Sequence, residues 1–327
     1  MTKDIFHRIK QNPYQYFFIK LLTLLLIVFM LDFTAGKILR YYYFKEESGM
    51  LSRTTYSIDK TNEDILIFGS SRANHHYHPE VFENRLNQSY YNAGRDGQYI
   101  FYHYAVLKGI LKRYIPKIVI LDLNSGELRK DQESYDRLSA LLPYYKSHRE
   151  IRSIIELKSP FEKIKLCSAI YPYSSLIFTI AIGNTDYNKK KQGDIKGYVP
   201  LTNVLNQPTV THNQPPKNDL DSVKVKFFES FIKDCIQSNT KLYIVCSPYF
   251  HDAGYSDPSI LAGKEIAKKY GIAFFDFSRD TVFTNKAGLF SDIMHLNDKG
   301  ARIFSEKLSD KIVAANESSD KAISVRK

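Results

Sequence analysis

A chain of 327 residues, 43% of them hydrophobic, holds enough apolar material for one large or two small cores, which excludes a disordered or low-complexity protein. Its 46 lysines and arginines against 35 acidic residues leave a net charge of +11, which suits an anionic neighbour such as a membrane or acidic polysaccharide, but most of these lysines are read as merely solvating helices, because Lys189-Lys190-Lys191 is the one tight basic run and no nucleic-acid motif accompanies it. Three scattered cysteines, Cys167, Cys235 and Cys246, with no Cys-x-x-Cys spacing, argue against a disulfide framework and against zinc.

Residues 1–15 carry Lys3, Arg8 and Lys10 and read as a cytoplasmic amino terminus. From Tyr16 to Gly36 the chain is largely apolar, and Leu21 to Leu31 is interrupted only by Thr23. Such a run of about 20 residues spans a bilayer, and its positive flank stays in the cytoplasm. Residues 16–36 are therefore read as a single-pass signal anchor in the cell membrane, with everything after it extracytoplasmic. Phe33-Thr34-Ala35 puts a bulky residue where a cleavage site needs a small one, which favours a retained anchor over a cleaved signal. The run is apolar on all sides, unlike a buried amphipathic helix. Tyr41, Tyr42, Tyr43 and Phe44 follow as an interfacial belt, within an irregular juxtamembrane segment, 37–63.

Asp64 to Asn74 organises the rest of the chain. Ile65 to Phe68 are four consecutive apolar residues, too few for a helix and suited to a strand buried on both faces, and Gly69 stops it. In an open α/β sheet ligands bind beyond the carboxyl ends of the strands, so Ser70 and Ser71 are delivered to a site. A serine at this turn is either an exposed nucleophile or a helix cap; the residues alone leave both open. His75, His76 and His78 are expected to line the cleft beside Ser71 rather than bind a metal, because no carboxylate or cysteine at ligand spacing completes a site. A short strand ending at Asn92, a helix over Gln98–Lys112 and a third buried strand over Pro116–Asn124 follow.

Beyond Leu128 the alternation breaks. Residues 128–222 form an insertion, helical at first and then polar with Gly and Pro, expected over the carboxyl edge of the sheet as a lid or binding loop. Tyr171, Tyr173, Tyr187 and Tyr198 suit either stacking on sugar rings or packing within the insertion. Alternation resumes with a helix over Asp221–Asn239, a strand over Lys241–Cys246, a helix over Ser256–Tyr270, a strand from Gly271 and a closing helix over Asp298–Ala314. The pattern predicts an α/β fold over 64–315, a flavodoxin-like three-layer α/β/α sandwich with a mainly parallel five-stranded sheet, and a polar, frayed tail at 316–327.

Just ahead of the closing helix lies Phe290-Ser-Asp-Ile-Met-His-Leu-Asn-Asp-Lys-Gly300. A carboxylate three residues before a histidine can hold the imidazole by one nitrogen and leave the other for a serine, the spacing of Asp292 and His295. Together with Gly69-Ser70-Ser71, this stretch resembles the SGNH (GDSL-like) hydrolase superfamily, over most of 64–314 apart from the insertion. The resemblance implies Ser71 as nucleophile, with Ser70 in place of the family's aspartate, His295 as base and Asp292 as its partner, and no metal or organic cofactor. It also implies an oxyanion hole built from the backbone of Ser71, the N–H of Gly94 and an asparagine amide. The third block departs from the family's Gly-x-Asn-Asp. Asn124-Ser125-Gly126-Glu127 stands there, so that Asn124 comes about two positions early and either completes the hole or caps the strand.

Membrane-anchored relatives with Gly-Ser-Ser, among them proteins resembling the D-alanyl transfer protein of teichoic acid and alginate acetylation proteins, act on cell-envelope polymers. What the resemblance implies here is an extracytoplasmic serine esterase acting on O-acyl, above all O-acetyl, groups of a cell-envelope glycan. An O-acyltransferase working with a membrane-bound acyl-transfer partner shares the first half-reaction, and a non-catalytic glycan-binding scaffold on the same fold is the remaining reading.

Overall fold

Asn12 opens the computed structural model, which describes residues 12–189, 193–206, 219–251 and 257–324. Lys190 and Lys191 of the basic run, most of the amino-terminal segment, part of the insertion, Ser256 and the last three residues of the tail lie outside the described residues. The Asn12 side chain accepts from the N–H groups of Tyr14 and Gln15 and Pro13 takes the first helical position, so helix α1 starts there and runs 33 residues, Pro13–Lys45. Its apolar part is exposed all round, with a mean hydropathy of 2.2 over an 18-residue window, long and apolar enough to cross a bilayer.

The structure corrects the irregular segment expected at 37–63. α1 continues past Gly36 to Lys45, and α2 follows at Gly49–Asp59. The reason is tertiary. Tyr43 is fully buried against Tyr144, with their hydroxyls 3.2 Å apart, and Arg40 donates to the Pro143 carbonyl. The last turns of α1 thus belong to the folded domain.

Five strands, β1 (Ile65–Phe68), β2 (Tyr90–Asn92), β3 (Ile118–Asp122), β4 (Lys241–Cys246) and β5 (Ala273–Asp276), lie in the order β2-β1-β3-β4-β5 with every pair parallel. This is the expected flavodoxin-like sandwich. Side chains alternate between the faces: Leu66, Phe68, Val119, Leu121 and Ile244 enter one core, and Ile65, Ile67, Ile118, Ile120 and Val245 enter the other. Helices α3 (Ser71–His76) and α4 (Pro79–Leu86) belong to the second face, and α5 (Ile100–Leu111), α6 (Ser222–Gln237) and α7 (Pro258–Lys269) to the first, with α2. The closing helix α8 completes the second face and runs from Asp298 to Ser324, so the tail is not frayed from residue 316. Asn316 explains the extension, since its side chain accepts from the Tyr243 hydroxyl at 2.7 Å and the Lys241 ammonium at 3.1 Å.

The insertion divides in two. Its helical part is a series of short turns, of which Tyr171–Leu176 and Ile177–Gly183 pack on α1 rather than over the sheet. Residues 193–206 do run along the carboxyl edge, with Val199 N–H donating to Asn74 O and Leu205 N–H to Phe290 O. Among the four tyrosines considered for sugar stacking, Tyr173 and Tyr198 are buried and Tyr171 is committed to Glu162; Tyr187 alone is exposed.

Candidate active site

β1 ends at Gly69 with φ at +140°, where a Cβ would come within 2.8 Å of the Ala73 methyl and 2.9 Å of the Asp122 carbonyl, so only glycine fits the turn. The turn brings Ser71 to the first position of α3. Its hydroxyl donates to His295 Nε2 at 2.8 Å, across 224 residues of sequence.

The loop carrying His295 is shaped by its neighbours. Phe290 and Leu296 are both fully buried and bridge each other, which bulges the residues between them toward Ser71. Asn297 accepts from Gly300 N–H and donates to Gly288 O, and the Leu289 carbonyl leaves no room for a side chain on Gly300. Asp292 lies 2.9 Å from His295 Nδ1, and its other oxygen accepts from the N–H groups of Met294 and His295 at 2.7 and 2.9 Å. A carboxylate only accepts, so Nδ1 carries the proton and the Nε2 lone pair faces Ser71. Burial lowers the His295 pKa below its ordinary value, with Asp292 opposing and His75 and Arg72 adding to the fall. Burial acts to raise the Asp292 carboxyl, but His295 and the backbone N–H groups outweigh it and hold the pKa low. At neutral pH the pair is a neutral imidazole beside a carboxylate.

The histidines expected near Ser71 have separate places. His75 lies edge to face with His295, ring centroids 5.5 Å apart, its Nδ1 donating to Val199 O. His76 is fully buried; its Nε2 accepts from Leu296 N–H at 3.0 Å and its Nδ1 faces Ser247 Oγ, so it ties the His295 loop to β4. His78 lies farther out, beside Arg302. Because neutral His295 is the form that takes a proton, kcat/KM of an ester substrate is expected to rise along an acidic limb centred below the ordinary histidine value of 6.5. His75→Ala removes a neighbour that disfavours the imidazolium of His295, which raises the His295 pKa and moves that limb to higher pH. A limb that stays put in the pH–rate profile would deny His75 this influence.

Several residues of the site carried no sequence signal. Arg72 is completely buried and stacks on Tyr249 at 3.5 Å, while its Nη2 donates to the carbonyl and hydroxyl of Ser247. It pins the turn that carries Ser71 to the end of β4. Asp96 accepts from Asn74 at 2.7 Å and lies 3.6 Å from His75 Nε2; burial would raise its carboxyl, but His75 and Asn74 outweigh it and bring the pKa to about 2. Arg53 closes the network by donating to the Asn74 side-chain oxygen at 2.6 Å.

The candidate oxyanion donors are unequal. The Ser71 N–H has no acceptor among the described residues. Gly94 N–H is turned to the Asn92 side chain, 2.9 Å away, so it must leave that acceptor to serve an oxyanion. A Cβ on Gly94 would lie 2.9 Å from Asn74 N, which places this glycine against the start of α3. The Asn124 amide donates to Ser70 Oγ, one residue before Ser71, and its carbonyl oxygen is buried without a partner among the described residues. If Asn124 supplies the third donor, Asn124→Ala lowers kcat by about 10²- to 10³-fold with KM nearly unchanged. Steady-state kinetics showing an undiminished kcat would leave it the role of a strand cap.

No family model matches the sequence, and no curated protein does. Among solved structures the chain is similar to an acetyl xylan esterase, at TM-score 0.38 and 13% identity, over 77% of this chain and 98% of that one.

Proposed function

We propose that this protein is a membrane-anchored serine esterase of the SGNH type, acting outside the cytoplasm on O-acyl, above all O-acetyl, groups of a cell-envelope glycan. The observation that carries the chemistry is the unbroken hydrogen-bond chain from Ser71 through His295 to Asp292. Ser71 Oγ attacks the acyl carbon as its proton passes to His295 Nε2, and Asp292 stabilises the imidazolium. The oxyanion is held by Ser71 N–H, with Asn124 and Gly94 as further donors. Collapse expels the glycan hydroxyl, which takes its proton from His295 and leaves an acyl-serine. An incoming hydroxyl attacks the acyl carbon as its proton passes to His295, and collapse breaks the bond to Ser71 Oγ, which takes that proton back from His295: water makes the protein an esterase, and a second glycan hydroxyl makes it a transferase.

The full-length protein in detergent is expected to hydrolyse p-nitrophenyl acetate and to be labelled by a fluorophosphonate. Absence of both would favour the glycan-binding scaffold. Acetylation of added oligosaccharides in competition with water would favour the transferase. The membrane part of the reading rests on the exposed apolar stretch of α1 and on Lys3, Arg8 and Lys10 before it. A reporter that works only outside the cytoplasm, fused after Lys327, should therefore be active, and activity confined to the cytoplasm would overturn the orientation.

A further inference from the structure

Ser71 and His295 reach the site on different elements and meet through a hydrogen bond near the surface, where the His295 side chain is 22% and the Asp292 side chain 53% exposed. A second polar chain runs beneath them. Leu296, the residue after His295, gives its N–H to His76 Nε2 at 3.0 Å, and His76 Nδ1 lies 3.0 Å from Ser247 Oγ. Arg72, the residue after Ser71, donates to the same oxygen from Nε at 3.2 Å and from Nη2 at 2.8 Å. The chain thus links the neighbour of His295 to the neighbour of Ser71, and Leu296, His76, Ser247 and Arg72 are all buried.

The hydrogen on His76 follows from its partners. A backbone N–H only donates, so Nε2 meets Leu296 with its lone pair, and the neutral ring carries its hydrogen on Nδ1 and donates it to Ser247 Oγ. Burial lowers the His76 pKa well below its ordinary value, with Arg72, His295 and His75 adding to the fall, so the ring is neutral at neutral pH. The closing helix holds it from the side: Phe304 lies edge to face with the imidazole, ring centroids 6.4 Å apart, and the Ser305 hydroxyl donates to the His76 carbonyl at 3.2 Å. One end of the ring is therefore fixed and the other presents an acceptor to Leu296. Without that acceptor the Leu296 N–H is a buried donor left unpaired, which is relieved by a shift of the loop or by entry of water.

We propose that His76 is a positioning residue for the reaction: anchored on Ser247, it holds Leu296 and so sets the distance and angle at which His295 Nε2 meets Ser71 Oγ. The inference rests on the reading of Ser71 and His295 as nucleophile and base, and deepens it. His76 takes up no proton in the reaction; it acts through His295.

The test compares two isosteres of the ring in the full-length protein in detergent. In His76→Gln the side-chain oxygen reaches the place of Nε2 and still accepts from Leu296. In His76→Asn the amide stays at the place of Nδ1, keeps Ser247 and leaves Leu296 unpaired. Displacement of a reacting pair by about 1 Å costs on the order of 10²-fold, so His76→Asn is expected to lower kcat for p-nitrophenyl acetate by about 10- to 100-fold with KM nearly unchanged, and His76→Gln to recover most of the loss. In a His295→Ala background His76→Asn should cost nothing further, because the group it positions is gone. A loss in His76→Gln as large as in His76→Asn, or a loss repeated in full without His295, would make His76 a structural residue and overturn the proposal. Full activity in His295→Ala would overturn the underlying reading of the site, whereas a loss there with native kcat in His76→Asn would overturn the positioning alone. Should His76→Asn fail to fold, Ser247→Ala, which removes the anchoring hydroxyl, goes through the same cycle: a lower kcat in the native background and no further loss without His295 are expected, and any other outcome would overturn the proposal.

Discussion

Replacing His295 by alanine is expected to cut turnover by about 10³- to 10⁶-fold, because among the described residues no other group in contact with the Ser71 hydroxyl can take its proton. The hydroxyl is far too weakly acidic to ionise near neutral pH, so attack without a base has to proceed on the neutral serine. Asp292→Asn acts on the same step from one residue further back. It keeps an oxygen able to accept from the Met294 and His295 N–H groups, so the loop should hold its shape, but it removes the charge that stabilises imidazolium and can favour the wrong tautomer. Its loss should be on the order of 10² to 10⁴ in kcat, with Tm nearly unchanged. Since both residues work through a single proton transfer, the double variant should be little worse than His295→Ala. Full activity in His295→Ala would be incompatible with the mechanism. Strictly multiplicative losses would assign Asp292 to substrate binding or folding.

The second large effect separates two adjacent serines. Ser71→Ala is expected to abolish covalent labelling by a fluorophosphonate, because Ser71 is the hydroxyl bonded to His295. Ser70→Ala should only slow labelling: its hydroxyl is engaged by Asn124, and losing it releases that amide rather than removing a nucleophile. Intact-mass measurement of both variants after labelling decides the matter. The reverse pattern would shift the site by one residue and undo the alignment of Gly69-Ser70-Ser71 with the superfamily's first block.

Gly94 and Asn124 mark where the two stretches stop informing the site. Both positions were reached through the resemblance, and the structure brings both beside the turn that carries Ser71, yet each donor is turned toward a neighbour, Asn92 in one case and Ser70 in the other. A backbone N–H or an amide has a direction, and direction depends on which acceptor the packing supplies. Residue type and spacing do not encode that choice.

What could be read from the chain itself was whatever is specified within a few residues. β1 is a short apolar run closed by a glycine that no other residue can replace, and Asp292 and His295 are held together by a four-residue loop whose own backbone turns them toward each other. The alternation of such runs with amphipathic helices was enough for the five-stranded parallel sandwich. Contacts across long stretches of sequence decided the rest. Arg72 meets Ser247 at a separation of 175 residues, and nothing near either residue announces a buried arginine. α1 outlasts its apolar pattern because Tyr43 finds Tyr144, and the helical part of the insertion leaves the sheet edge for α1 because Asp32 accepts the donors at Ser168, Ala169 and Ile170. A helix or loop end stops or continues according to the free energy of the surface it meets, and that surface exists only once the chain has folded.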